Sequence, residues 1–304
     1  MARILVTSAS GFVGRHLLPA LVAAGFDVVA CGRQRVEQQG VTFRAIDDIA
    51  TAGWGGLLAG VDAVIHTAGI AHSRAGGEAD YDAINAEATL RLASQCVGRV
   101  GRLVFLSSIR AISGPVSQIA LDEASAARPT DAYGRSKLKA EQELAKLPLA
   151  SMILRPVVIY GAGVKGNLAR IQRLADTALP LPFASLRAPR SFLAIDNLVS
   201  AILFALTRRE TGARTFVVAD PAASSIAELI LGLREGLGRK ANLVPCPSGL
   251  LGLAARITGQ GESWATMAGP MIASPARLIS AGWRPAVAST HDGARLWGQA
   301  VRRV

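Results

Sequence analysis

The first half of the chain alternates short apolar runs with segments whose apolar residues recur at helical spacing. Ile4-Leu5-Val6, Val28-Val29-Ala30, Ala63-Val64-Ile65, Leu103-Val104-Phe105-Leu106 and Met152-Ile153-Leu154 are continuous apolar runs bounded by polar or glycine residues. Runs of this kind suit strands covered on both faces, as in a parallel sheet. The pattern predicts strands over residues 3–7, 27–31, 41–44, 63–66, 102–107 and 151–155, with helices over 12–24, 80–97 and 132–147. Strand–helix alternation of this sort defines an α/β fold built on a doubly wound parallel sheet. Beyond Pro156 the texture changes. Gly161-Ala162-Gly163 and the prolines at 180, 182 and 189 mark loops, residues 214–219 read as one more strand, and the chain from Pro221 onward reads as helical. The very apolar stretch 249–259 is expected to be packed core.

Composition narrows the class. With 304 residues, 50% of them apolar and 18% charged, the chain can bury a sizeable core and is not a disordered sequence. The longest membrane candidate, residues 192–206, is broken by Asp196, Asn197 and Ser200 and falls short of the ~20 residues a span needs. Met1-Ala2-Arg3 leads directly into a short strand-like run rather than a secretory signal. Cys31, Cys96 and Cys246 form no close pair, so neither a disulfide framework nor a bound metal is expected, and the expected location is the cytoplasm. The net charge of +11 attracts phosphates in general, but the basic residues are scattered and aromatics make up only 5%. No nucleic-acid partner is expected.

Candidate chemistry starts at the end of the first strand. Thr7-Ser8-Ala9-Ser10-Gly11-Phe12-Val13-Gly14 runs straight into a helical pattern. In a Rossmann fold this turn cradles a pyrophosphate on free amides at a helix N-terminus. The candidate cofactor residues there are Thr7, Ser10, Gly11, Phe12, Val13 and Gly14. The second strand runs out into Cys31-Gly32-Arg33-Gln34-Arg35 without a carboxylate. A carboxylate would accept from a ribose 2′-OH, whereas Arg33 suits a 2′-phosphate, so NADP(H) is favoured over NAD. Asp47, after the third strand, is placed to hydrogen-bond the adenine. These observations divide the chain into an NAD(P)-binding Rossmann domain, residues 1–160 with 192–220, and a smaller C-terminal substrate-binding lobe, residues 161–191 with 221–304.

Ser107-Ser108 ends the 102–107 strand, and Tyr133-Gly134-Arg135-Ser136-Lys137 opens a helix 25 residues after Ser108. Tyr133 and Lys137 stand at i and i+4, on one helix face. Interconversion of an alcohol and a carbonyl needs a proton donor and acceptor beside the hydride path. A phenol serves if a nearby cation stabilises its anion. The Lys137 ammonium is the expected cation, and Ser108 the expected partner of the substrate oxygen.

These residues, with DAVIHTAG (62–69), INAEATLRLA (84–93), VFLSSIRA (104–111), YGRSKLKAEQEL (133–144), LRPVVIYGAGVKGN (154–167) and RSFLAIDNL (190–198), resemble the extended short-chain dehydrogenase/reductases over nearly the whole chain. Within them the chain is most similar to the NAD(P)-dependent nucleotide-sugar epimerase/dehydratase family, in particular its UDP-sugar 4-epimerases and UDP-N-acetylquinovosamine-type 4-ketoreductases. The resemblance implies a Ser108, Tyr133, Lys137 triad, with Lys137 also holding the nicotinamide ribose and Ala68 bordering the nicotinamide. It implies a UDP-sugar substrate met by Asn167, Phe183 and Arg190, with Arg277 and His72 as further candidates, and a homodimer joined through the helices 80–97 and 132–147. Ser8 stands where the family has its first glycine. Family dehydratases carry an Asp-Glu pair after the catalytic hydroxyl residue, and this chain has Ile109-Arg110. Water elimination is therefore not expected. Oxidoreduction at C4 remains, by an epimerase or a ketoreductase supplying surface-polysaccharide sugars. A reductase of a non-nucleotide carbonyl and a non-catalytic NADP sensor are the alternatives.

Overall fold

The computed structural model describes residues 1–70, 77–208, 213–259 and 261–303. Seven strands form one sheet: β1 (Arg3–Thr7), β2 (Asp27–Gly32), β3 (Val41–Ala45), β4 (Ala63–His66), β5 (Arg102–Leu106), β6 (Ser151–Pro156) and, last in the chain, Ala213–Val218. Their order across the sheet is β3-β2-β1-β4-β5-β6 followed by 213–218. Strand β1 sits between β2 and β4, both parallel to it, with Val6 level with Ala30 and with Ile65. The order reverses at β1, and the crevice at such a reversal is where doubly wound sheets bind ligands.

Leu5, Val64, Leu103, Phe105 and Ile153 are each 2% exposed or less and pack with Leu92 and Leu144 from the covering helices. Burial of each such side chain contributes roughly 2 kcal/mol. Helix 132–144 begins where Asp131 accepts a hydrogen bond from the Gly134 amide at 2.7 Å. A cap of that kind contributes about 1 kcal/mol. The predicted helix 80–97 is observed as a continuous run from Glu78 to Cys96 that widens to π geometry over Asp82–Glu87.

The chain falls into two compact units, and both are discontinuous. The first comprises Met1–Gly114, Ser125–Pro156 and Val199–Val217; the second comprises Pro115–Ala124, Val157–Leu198 and Val218–Val304. Segment 192–198, which the sequence places with the nucleotide-binding domain, thus groups with the second unit. The reason is a parallel strand pair, β7 (Val158–Tyr160) with β8 (Phe192–Ala194), that three-residue strands do not announce in a sequence. The Tyr160 hydroxyl donates to Asp220 at 2.9 Å, and Asp220 also accepts from Ala194 N, Asn197 Nδ2 and Thr290 Oγ1. Four donors on one buried carboxylate fasten both strands to the later helices.

The expectation that 249–259 is packed core is not met. Helix Ser248–Ile257 has no buried residue, and Leu250, Leu253 and Ile257 are 59%, 54% and 78% exposed. The helix turns Leu251 and Ala255 inward and leaves its other leucines and Ile257 outside. No helix among the described residues is long and apolar enough to cross a membrane.

Candidate active site

At the end of β1 the chain turns sharply. Ser8 takes the left-handed conformation, φ 53°, and its carbonyl accepts from Gly11 N at 2.9 Å. Helix 12–23 starts at Gly11 with no side chain capping it, which leaves its leading amides for an external acceptor. A Cβ on Gly14 would collide with the Ala9 carbonyl, so only glycine lets the helix start this close to the turn. Thr7, Ser10, Gly11, Phe12, Val13 and Gly14 therefore come together as a cradle fit for a pyrophosphate. Arg33 is exposed at the end of β2, and Asp47 is exposed after β3, the two edges where an adenosine ribose and base would lie.

Thr7 has a second task. Its hydroxyl accepts from Ala68 N at 3.2 Å and sits 2.9 Å from His66 Nδ1, while His66 Nε2 lies 2.9 Å from Thr89 Oγ1. Thr89 donates its own proton to Asn85 O, so it must accept from the Nε2 hydrogen, and Nδ1 accepts from Thr7. His66 is neutral in this chain of bonds. Burial, seconded by the nearby Lys137 charge, lowers its pKa to about 3.

The candidate acid–base residues lie wholly in the first unit. Ser108 caps the short 3-10 turn Ile109–Ala111, accepting from Arg110 N at 3.2 Å, and its side chain hydrogen bonds with the Tyr133 phenol. Lys137, 4% exposed, donates to Leu106 O at 3.0 Å and lies 4.8 Å from the centre of the Phe105 ring. Gly69 runs so close that a Cβ there would approach the Lys137 ammonium to 3.1 Å. Tyr133, Ser108 and Lys137 are thus gathered beside the segment that carries Ala68.

The electrostatics depart from the sequence expectation in one respect. Burial raises the Tyr133 pKa above its ordinary value; the Ser108 hydrogen bond and then the Arg110 charge oppose that rise, and Tyr81, ring to ring at 6.2 Å, adds to it. The cation acting on the phenol is Arg110, whose Nη2 pairs with Asp131. Lys137 spends its proton on the Leu106 carbonyl instead. Its own pKa falls to about 8 through burial, with Glu141 pulling the other way.

Of the substrate candidates, Asn167 and Phe183 meet in the second unit on the wall of a cavity of about 620 Å³, with Arg170, Arg173, Leu251 and Trp264. Arg190 is not free to grip a phosphate with its whole fork: it is 7% exposed and donates to the Gly269 and Pro115 carbonyls at 2.7 and 3.2 Å. Arg277 is exposed on the short helix Ala276–Ser280. His72 lies outside the described residues.

Two features escaped the sequence reading. One is the Arg110–Asp131 ion pair. The other is a buried cluster under the site, in which the Glu141 carboxylate accepts from Ser107 Oγ at 2.5 Å and from Arg155 Nη2 at 2.5 Å. The available signal was spacing: Tyr133, Lys137 and Glu141 stand at i, i+4 and i+8, so an acid lies on the same inward face as the lysine.

A parallel sheet with this strand order and a glycine turn at its reversal, with Ser108 just past β5 and Tyr133 and Lys137 on helix 132–144, define a Rossmann-like α/β architecture. The model of the NAD dependent epimerase/dehydratase family matches residues 4–219, and the chain belongs to that family. It is 30% identical to a UDP-glucose 4-epimerase of Vibrio cholerae over 93% of this chain and 90% of the relative. It is 28% identical to a 4-hydroxy-2-methyl-3-oxo-4-farnesyl-3,4-dihydroquinoline-1-oxide ketoreductase of Stigmatella aurantiaca, over 91% and 85%. Among solved structures, a UDP-N-acetylglucosamine 4-epimerase from Bacillus cereus superposes with a TM-score of 0.80 at 20% identity, covering 100% of both chains. The chain is an enzyme of this NAD-dependent epimerase and reductase group.

Proposed function

We propose that the enzyme oxidises and reduces C4 of a UDP-sugar, as a 4-epimerase in the first reading. When bound on the Ser10–Gly14 turn, a nicotinamide dinucleotide would supply the hydride acceptor and donor for C4. Tyr133 Oη takes the proton of the C4 hydroxyl as the hydride leaves, giving the 4-ketone, and gives it back on the return. Ser108 holds the same oxygen and so fixes the angle at which Tyr133 meets it. Lys137 places a buried cation beside Gly69, where the nicotinamide ribose is expected. The uridine diphosphate is assigned to the cavity lined by Asn167, Arg170, Arg173 and Phe183, an aromatic surface with two cations suited to a base and its phosphates.

The observation that carries this reading is the hydrogen-bonded Ser108–Tyr133 pair with Lys137 one turn along. Purified enzyme is expected to release nicotinamide dinucleotide on denaturation and to interconvert a UDP-sugar pair differing at C4. Tyr133→Phe should cut turnover by about 10³-fold while leaving cofactor affinity within about threefold. Full activity in that variant removes the phenol from the mechanism.

The second reading is a 4-ketoreductase, and Arg33 favours it. A consumed cofactor is more often NADPH, and β2 runs out into Arg33-Gln34-Arg35 with no carboxylate. Net oxidation of added NADPH without a bound dinucleotide selects this reading. Reduction of a lipid-like ketone with no response to UDP-sugars would select the activity named for the Stigmatella relative. A role in surface-polysaccharide sugar synthesis, a cytoplasmic location and a homodimer through helices 78–96 and 132–144 belong to the same proposal.

A further inference from the structure

Beneath the acid–base group lies a set of buried charges that the proposed reaction does not itself use. Glu141 is 5% exposed on helix 132–144, two turns beyond Tyr133 and one beyond Lys137. Arg155, 8% exposed on β6, grips its carboxylate with Nε at 3.0 and 3.1 Å and Nη2 at 2.5 Å. Ser107 supplies the second donor side chain, and its own amide is pinned to Leu154 O at 2.8 Å. One carboxylate therefore ties together the segment leading to Ser108, the helix that carries Tyr133 and Lys137, and the neighbouring strand.

We propose that Glu141 is a positioning residue for the acid–base group: clamped by Arg155, its carboxylate fixes the Ser107–Ser108 peptide and supplies the counter-charge for the buried Lys137 ammonium. The inference rests on the oxidoreductase reading above. Three physical reasons support it. An isolated buried ammonium is expensive, and among the described residues the direct partners of Lys137 are a carbonyl and a ring face. The titratable groups around it are His66 on β4, which is neutral, Tyr133 and Glu141 on its own helix, and Arg155 on β6, which Glu141 shields. Asn85, from the π segment, meets the same region through Ser136, but carries no charge. Glu141 is thus the anion among these groups. Finally, a hydroxyl that donates to a carboxylate has one orientation, so Ser107 cannot swing and Ser108 keeps its direction toward Tyr133.

The test is Glu141→Gln, which keeps shape and removes charge. Turnover should fall about tenfold or more with KM for substrate and cofactor affinity nearly unchanged. The alkaline limb of the kcat profile, where the Lys137 proton is lost, should move down by about one pH unit. Ser107→Ala should lower kcat without moving that limb. Because Glu141→Gln leaves Arg155 unpaired, Glu141→Gln/Arg155→Met provides a variant without a stranded charge, and its limb should move the same way. A profile superimposable on the parent's in both Glu141 variants, with only Tm reduced, would reduce Glu141 to a packing role and overturn the proposal. Titration of the Lys137 Nζ by NMR in 15N-lysine-labelled protein reads the same shift with no substrate present. It therefore judges the proposal even if no UDP-sugar is turned over, an outcome that would instead sink the functional reading.

Discussion

Arg110 occupies a position where family dehydratases carry an acid, and the structure gives that exchange a physical consequence. Its guanidinium is the cation acting on Tyr133, held in place by Asp131, which also caps the helix that Tyr133 opens. A phenol must become an anion to accept the substrate proton, and here burial works against that anion. Removing Arg110 removes one of the two influences that oppose burial. Arg110→Met should therefore raise the pH at which activity reaches half of its plateau, by about one unit, while Arg110→Lys should recover part of the shift. The measurement is kcat against pH, since a general loss of fold would scale the curve without displacing it. An unmoved acidic limb would show that the guanidinium matters only as Asp131's partner.

At the scale of elements, the glycine turn shows where local and global demands conflict. Ser8 sits at φ 53° in a position that glycine fills at no steric cost. Ser8→Gly should relieve about 1 kcal/mol of backbone strain, part of which is offset by the greater freedom of glycine in the unfolded chain. Gly14→Ala should do the opposite, with a loss of several kcal/mol and of cofactor binding, because its Cβ meets the Ala9 carbonyl head-on. Urea melts with and without dinucleotide separate the two effects. The turn itself was legible from Gly11 and Gly14 between an apolar run and a helical pattern, and so were all seven strands of the sheet to within a residue, because most of them are buried and so carry apolar runs. The β7–β8 pair was not legible, since three residues carry no period. Nor was the exposure of helix 248–257: leucine count signals burial only where something lies against the face, and sequence does not show what does. The triad could be read as types at a spacing, but the partner of each charge could not. Lys137 was expected to serve Tyr133, yet its proton goes to Leu106 O and its counter-charge is Glu141.

For the molecule as a whole, the site is a cost to stability, and pH exposes it. His66 is held far below its ordinary pKa in the folded state, to about 3. Between about pH 6.5 and 3 the unfolded chain binds that proton and the folded chain does not, so stability falls on acidification by up to about 1.4 kcal/mol per pH unit from this group. Lys137 has the same sign in another window. Its folded pKa of about 8 lies below that of the unfolded lysine, so the unfolded chain holds the extra proton between about pH 8 and 10 and stability rises with pH there. Below that window both states are protonated and the folded protein bears the full burial penalty. Lys137→Met should remove the penalty, less the lost bond to Leu106 O, and raise the Tm of the dinucleotide-free protein at pH 7 by about 3 °C. At pH 10, where the parent lysine is already neutral, the two proteins should melt nearly together. Because the chain forms two compact units, one midpoint need not describe both, and three of the four tryptophans, 264, 283 and 297, belong to the second. Amide exchange in β4 and β5 is the readout that follows the unit concerned. Equal protection in parent and variant at pH 7 would mean that the ammonium is carried at no cost, and that its neighbours compensate its charge more fully than Glu141 alone.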